Sequence, residues 1–141
     1  MLRVRQEVFC VEQRCRYTDL DGRDQASFHL LGYDHTPNGE NLVAYARLLP
    51  PALAYPYHPN DASIGRVLTV ASARGTGIGK TLVQRSIDEC YRLFGNPNTN
   101  TRIGIRIGAQ SYLVAFYAAF GFVSTGYEYL EDDIPHTQML M

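Results

Sequence analysis

A chain of 141 residues, 45% apolar and 19% charged, has the length and make-up of one globular domain with a real core. Its net charge of −1 gives no electrostatic case for binding nucleic acid or a membrane surface, and no apolar run is long enough to span a bilayer or to act as a signal peptide. The cysteines, Cys10, Cys15 and Cys90, are odd in number and unpatterned in spacing, which argues for buried thiols in a reducing, cytoplasmic setting rather than disulfides or a metal site.

Residues 2–13, LRVRQEVFCVEQ, read as a helix in which Leu2, Val4, Val8, Phe9 and Val11 share an apolar side. Glu12 near its end is either a solvated carboxylate or one aimed into a cleft. A loop follows at 14–24, ending in the aspartate-rich TDLDGRD. A calcium loop would need an acid at 17 and a glutamate at 28, where Tyr17 and Phe28 stand, so these acids are expected to cap turns or to charge a nearby pocket. Strands at 27–33 and 42–49 flank a hairpin loop at 35–40. His29 on the first is more often structural than substrate-touching. Arg47 on the second reads equally as a paired cation or a pocket residue. Residues 50–61 hold four of the seven prolines and form a long loop suited to one wall of a substrate site.

The stretch from Ile64 to Cys90 organises the rest. It opens as a strand with Ile64, Leu68 and Val70 on one side and Val67 opposite. After the turn 71–74 comes Gly75-Thr76-Gly77-Ile78-Gly79, then a helix whose apolar stripe is Ile78, Leu82, Val83, Ile87, Cys90, Tyr91 and Phe94. Residues 95–101 are a polar turn. In 102–110, RIGIRIGAQ, isoleucines alternate strictly with Arg102, Gly104, Arg106 and Gly108, a face open to close approach. A short helix at 111–120 ends at Gly121. Strands at 122–130 and 134–141 flank the acidic turn Glu131-Asp132-Asp133. Two strand–helix–strand units ask for parallel pairing and the hairpins for antiparallel pairing, so the expected fold is a mixed sheet covered by helices.

A strand feeding a glycine-rich turn that opens a helix offers free N–H groups and a positive dipole end, which suits phosphate. The P-loop pattern fits at Gly79-Lys80-Thr81 but needs a glycine where Arg74 stands, and no second strand ends in a metal-holding aspartate. The dinucleotide pattern fails because its third glycine falls at 79 and position 80 is Lys80. The pattern [RQ]xxGx[GA] is met in full by Arg74 to Gly79. A turn with no ligand is the bland alternative.

That loop resembles the acetyl-coenzyme A loop of the GNAT N-acetyltransferases. Phe116-Tyr117-x-x-Phe120-Gly121-Phe122 resembles the family's second landmark. LRVRQEVFCVEQ, TDLDGRD, VAYARL, IGRVLTV and DDIPHTQM are similar to the ElaA-like branch, so the resemblance covers almost the whole chain. It implies a single GNAT domain, α/β with a mixed, mostly antiparallel sheet and a central coenzyme A-binding unit. It also implies a strand and a helical turn before the first helix, which these residues do not supply. The implied chemistry is direct acetyl transfer from acetyl-coenzyme A to a primary amine of a small molecule or peptide, without a metal. The amides of Arg74, Gly75, Thr76, Gly77, Ile78, Gly79 and Lys80 would take the diphosphate. The strand Leu68-Thr69-Val70 would run beside the pantetheine, with the Leu68 N–H as first choice for the oxyanion donor. Phe116 and Gln110 would touch the cofactor; at Gln110 many relatives have asparagine. Tyr117 would be the general acid, and Glu12 or His136, or a water chain, the base. Non-catalytic acyl-coenzyme A binding and a P-loop NTPase are the competing functions. The oligomeric state stays open, a homodimer included.

Overall fold

The computed structural model describes residues 1–15, 18–37, 39–96 and 102–141. Most of the predicted turn at 95–101, Asn38 of the hairpin loop and Tyr17 lie outside the described residues. Their sheet is six-stranded, in the order β1 (Phe28–Thr36), β2 (Gly39–Leu49), β3 (Ala62–Thr69), β4 (Ile105–Gln110), β6 (Ile134–Leu140), β5 (Val123–Glu131). Only β3 and β4 pair in parallel, with α2 (Ile78–Phe94) as their crossover. The second expected parallel pairing is not made: β6 lies between β4 and β5 and runs antiparallel to both. The reason is burial. Met139 and Thr137 on β6 are buried, whereas β5 is exposed along almost its whole length, so the strand with more to hide takes the inner place.

Helix α2 follows its predicted stripe: Leu82, Val83, Ile87 and Cys90 are buried against Ile105 and Ile107 of β4, and the strict alternation of β4 holds. Burial pushes the Cys90 thiol up to about 12, so it packs as an inert apolar group. Cys15 is also buried, but Cys10 is exposed, contrary to expectation. Among the described residues no helix is long and apolar enough to cross a membrane. The first helix departs from α geometry. After α1 (Leu2–Arg5) the chain widens into a π-helix, Gln6–Glu12. Val4, Val8 and Phe9 pack over Tyr45 and Leu68, but the wider turn swings Val11 out, and both Leu2 and Val11 are exposed.

Strand β3 carries a bulge. Tyr45 faces Leu68 and Arg47 faces Gly65, so two residues of β2 span three of β3, and Arg66 sits at φ +52°. The extra residue flips the rest of the strand. Ile64 joins the core under α2, whereas Leu68 joins the cluster under the first helix, with Val70 packed against it. The predicted common face of Ile64, Leu68 and Val70 therefore does not exist.

The aspartate-rich loop explains how this strained position is held. Asp19 accepts from Arg5 Nε at 2.9 Å and Arg66 Nε at 2.8 Å. Asp24 accepts from Arg5 at 2.7 Å and Arg47 at 2.8 Å, and Asp21 from Arg47 at 2.7 Å. The loop thus ties together the first helix, β2 and the bulge of β3: its acids serve arginines, and Asp21 also caps a turn as expected, accepting from the Arg23 N–H at 3.1 Å. Arg47 is therefore a paired cation. His29 is structural too: its Nε2 donates to the Asp24 carbonyl at 2.9 Å, which leaves Nδ1 to accept from the Tyr45 hydroxyl at 2.7 Å.

Candidate functional site

Parallel pairing of β3 with β4 stops after Ala62–Ile105 and Ser63–Arg106. Beyond that point β3 bulges and β4 continues with β6 as its only partner, so the two strands part and leave a wedge. A cleft of about 340 Å³ fills it, with Ile64 to Val67 on one wall and Ile107 to Gln110 on the other. Tyr117, Tyr129, Glu131 and His136 close it, and Tyr55 from the proline-rich loop adds a side, the position expected of that loop.

Strand alternation settles which β3 amides face the gap. Val70 N–H donates to the Val43 carbonyl of β2 at 2.9 Å. Two residues back, Leu68 stands opposite Tyr45, so its N–H also points to β2. Val67 and Thr69 turn theirs away from β2, and Val67 lines the wedge. Leu68, the first choice for an oxyanion donor, thus turns its N–H to β2 and lies outside the cleft lining, whereas its neighbour Val67 lines it.

Past β3, the loop is built as a cradle. Gly75 and Gly77 have φ of +79° and +90°, a conformation costly for side chains, although nothing would touch an added Cβ at either. Gly77 heads α2, and the Lys80 and Thr81 amides both return to its carbonyl. The N–H groups of Gly75, Thr76, Gly77, Ile78 and Gly79 have no acceptor among the described residues. They stand at the positive end of a helix of 17 residues, with the exposed Lys80 in its first turn. Such a donor set fits a diphosphate.

Arg74 does not reach forward to this cradle. Its guanidinium folds back to the Thr69 carbonyl, at 3.0 and 3.2 Å, and pairs with Glu12 at 2.6 Å. Glu12 is accordingly a partner of Arg74 and does not line the cleft, against its expected role as a base. Phe116 also lies outside the cleft lining, in edge-to-face contact with Tyr117 and Phe120 beneath it.

Tyr117 is brought to the wedge by α3 (Val114–Ala118), which ends at Gly121 in the expected left-handed turn. Its ring is buried against Phe116 and Phe122, and its hydroxyl has no hydrogen-bond partner among the described residues. Burial, helped by Tyr112, pushes the phenol up to about 12, so it holds its proton at any physiological pH. His136 lines the same cleft from β6. Its Nδ1 donates to the Ile134 carbonyl at 2.8 Å, which leaves Nε2 as the lone-pair nitrogen of the neutral ring. Gln110 lines the cleft opposite His136 in register, and its carbonyl accepts from the Tyr112 hydroxyl.

Two cleft residues, Tyr129 and Glu131, had no sequence signal as site groups. Tyr129 stacks on His136 at 5.4 Å, and its hydroxyl sits where a side chain at position 108 would begin. The open face of β4 is therefore used by the protein's own tyrosine. Tyr55 lies nearby, and Glu131 lines the same wall. Burial, then Tyr55 and Glu131, hold the Tyr129 phenol well above its usual range. The alternating tyrosines of 127–129 placed one above Gly108 only once the register of β6 was known.

Comparison with known proteins bears on the same elements. The model of the acetyltransferase (GNAT) domain matches residues 38–141. A UPF0039 protein of Synechocystis is 43% identical over 140 residues, covering 99% of this chain and 82% of its own length. The crystal structure of an acyl-CoA N-acyltransferase from Pseudomonas aeruginosa superposes with a TM-score of 0.81 at 36% identity, over 99% of this chain and 86% of the other. That of Escherichia coli ElaA gives 0.80 at 33% identity, over 99% and 85%.

Proposed function

Because the chain belongs to the GNAT acetyltransferase family, we propose that it transfers an acetyl group from acetyl-coenzyme A directly to a primary amine of a small molecule or peptide. The observation that carries this reading is the Tyr117 hydroxyl, unpartnered among the described residues, in a wedge lined by Val67 of β3 and His136 of β6. The cradle of 75–79 with Lys80 holds the diphosphate, and the open edge of β3 pairs with the pantetheine amides. The Val67 N–H donates to the thioester carbonyl and stabilises the charge that grows there. His136 Nε2 takes a proton from the incoming ammonium. The amine nitrogen then bonds to the acetyl carbon, the carbon–sulfur bond breaks, Tyr117 gives its proton to the departing sulfur, and the second proton shed by the nitrogen as the amide forms returns to the Tyr117 phenolate through solvent. A non-catalytic binding module would need the cradle but neither the free phenol nor the histidine, and the P-loop reading has no support from the family match.

Thiol release from acetyl-coenzyme A, followed against a panel of amines, tests the proposal. Release that depends on the amine supports it; cofactor binding with no amine-dependent release across the panel favours the binding module. His136→Gln is expected to lower kcat about 100-fold with cofactor affinity retained. Glu12→Gln should change kcat by less than about threefold, because its partner is Arg74. The reverse order of effects would return the role of base to Glu12.

A further inference from the structure

Behind the wedge lies a second concavity of about 630 Å³. Tyr55 and Tyr129 line both spaces and form the partition between them. The far side is made by Tyr57 and Tyr127, which are 94% and 60% exposed. The rings of Tyr127 and Tyr129 stack at 5.6 Å and 24°, and with Tyr55 and Tyr57 they give the space four aromatic side chains.

The arginine of this space is already paired, and His58 is the other basic side chain in its lining. Arg106 at its floor donates to Asp61 at 2.9 and 2.7 Å and to Gln138 at 2.8 Å. No aspartate or glutamate is part of its lining among the described residues. A carboxylate entering here would find its guanidinium taken, and a second ammonium would find no counter-ion. A neutral ring or branched apolar group loses nothing of that kind and gains contact with the tyrosine faces. On the other side of the partition the wedge offers Glu131 and His136, groups suited to a single ammonium.

We propose that the acceptor is a monoamine bearing a neutral aryl or bulky apolar group, with its nitrogen in the wedge and that group in the tyrosine-lined concavity. This rests on the acetyl-transfer reading and narrows its acceptor class. The experiment compares 2-phenylethylamine, propylamine, putrescine and β-alanine as acceptors, in the native protein and in a Tyr57→Ala/Tyr127→Ala double variant. Both tyrosines are too exposed for their loss to endanger the fold. The aryl amine should exceed propylamine in kcat/KM by roughly tenfold, and the variant should lose that advantage while propylamine stays within about twofold. Equal values for all four amines, a preference for putrescine, or an advantage that survives in the variant would overturn the assignment. Should no amine be acetylated, the acetyl-transfer reading fails on its own. The concavity is then judged by calorimetric titration of 2-phenylethylamine into the coenzyme A-saturated protein. Weaker binding to the double variant supports an aryl site, and indistinguishable titrations reject it.

Discussion

Replacing Tyr117 by phenylalanine is expected to lower kcat about 10²- to 10³-fold while the Kd for coenzyme A stays within about threefold. The substitution removes one oxygen from a ring held by Phe116 and Phe122 and leaves the packing intact. The lost hydroxyl bonds to nothing among the described residues, so no internal hydrogen bond goes with it and stability should hardly change. That separates a chemical role from a structural one. A thiol leaving without a proton donor is a poorer leaving group, and the deficit should shrink for acyl donors with a more acidic thiol. The pH profile supplies a second check. Burial holds the phenol up to about 12, so the native rate should not fall through loss of this proton anywhere between pH 6 and about 10. Steady-state kinetics with both donors would show it. An unchanged kcat in the phenylalanine variant removes Tyr117 from the mechanism.

The largest effect on stability is expected from Asp19→Ala. Asp19 is 4% exposed and accepts from Arg5 and Arg66, the former wholly buried. Truncation takes from the buried Arg5 one of its two carboxylates and leaves its Nε without an acceptor, at a cost of about 3–5 kcal/mol, or a fall in Tm of roughly 10–20 °C. It also loosens Arg66, whose positive φ shapes the bulge beside the wedge, so KM for acetyl-coenzyme A should rise in whatever fraction stays folded. Thermal melts and cofactor titration measure both. A loss under about 1 kcal/mol would show that the network is dispensable.

The same network gives an acid limit with a definite sign. Burial opposes ionisation of Asp21 and Asp24, but hydrogen bonds from Arg47 to Asp21, and from Arg5 and Arg47 to Asp24, outweigh it and hold both below the usual aspartate range. Groups depressed in the folded state stabilise it fully above their unfolded value, near 3.8, and the benefit fades as the pH falls below that toward their folded values. Melts from pH 6 to pH 2 should therefore be flat at first and drop below about pH 4.

The local features were legible in the residues because they depend on neighbours a few positions apart. A stripe at spacings of three and four made α2, alternation made β4, and Gly75 and Gly77 announced a turn with positive φ and free amides. Tyr117 was legible because it sits in a short landmark ending at Gly121. The rest required partners far away in the chain. Nothing near Arg66 signals that β2 and β3 fall out of step there, yet that one extra residue sends Leu68 to the other face and hands the open amide to Val67. Glu12 and Arg74 meet across 62 positions, and Tyr129 reaches Gly108 only because β6 outcompetes β5 for the inner place. The residues alone determined a strand, an anion cradle and a helix. Which amide, which histidine and which tyrosines lie at the cleft was decided by register, and register is set by competition for burial across the whole sheet.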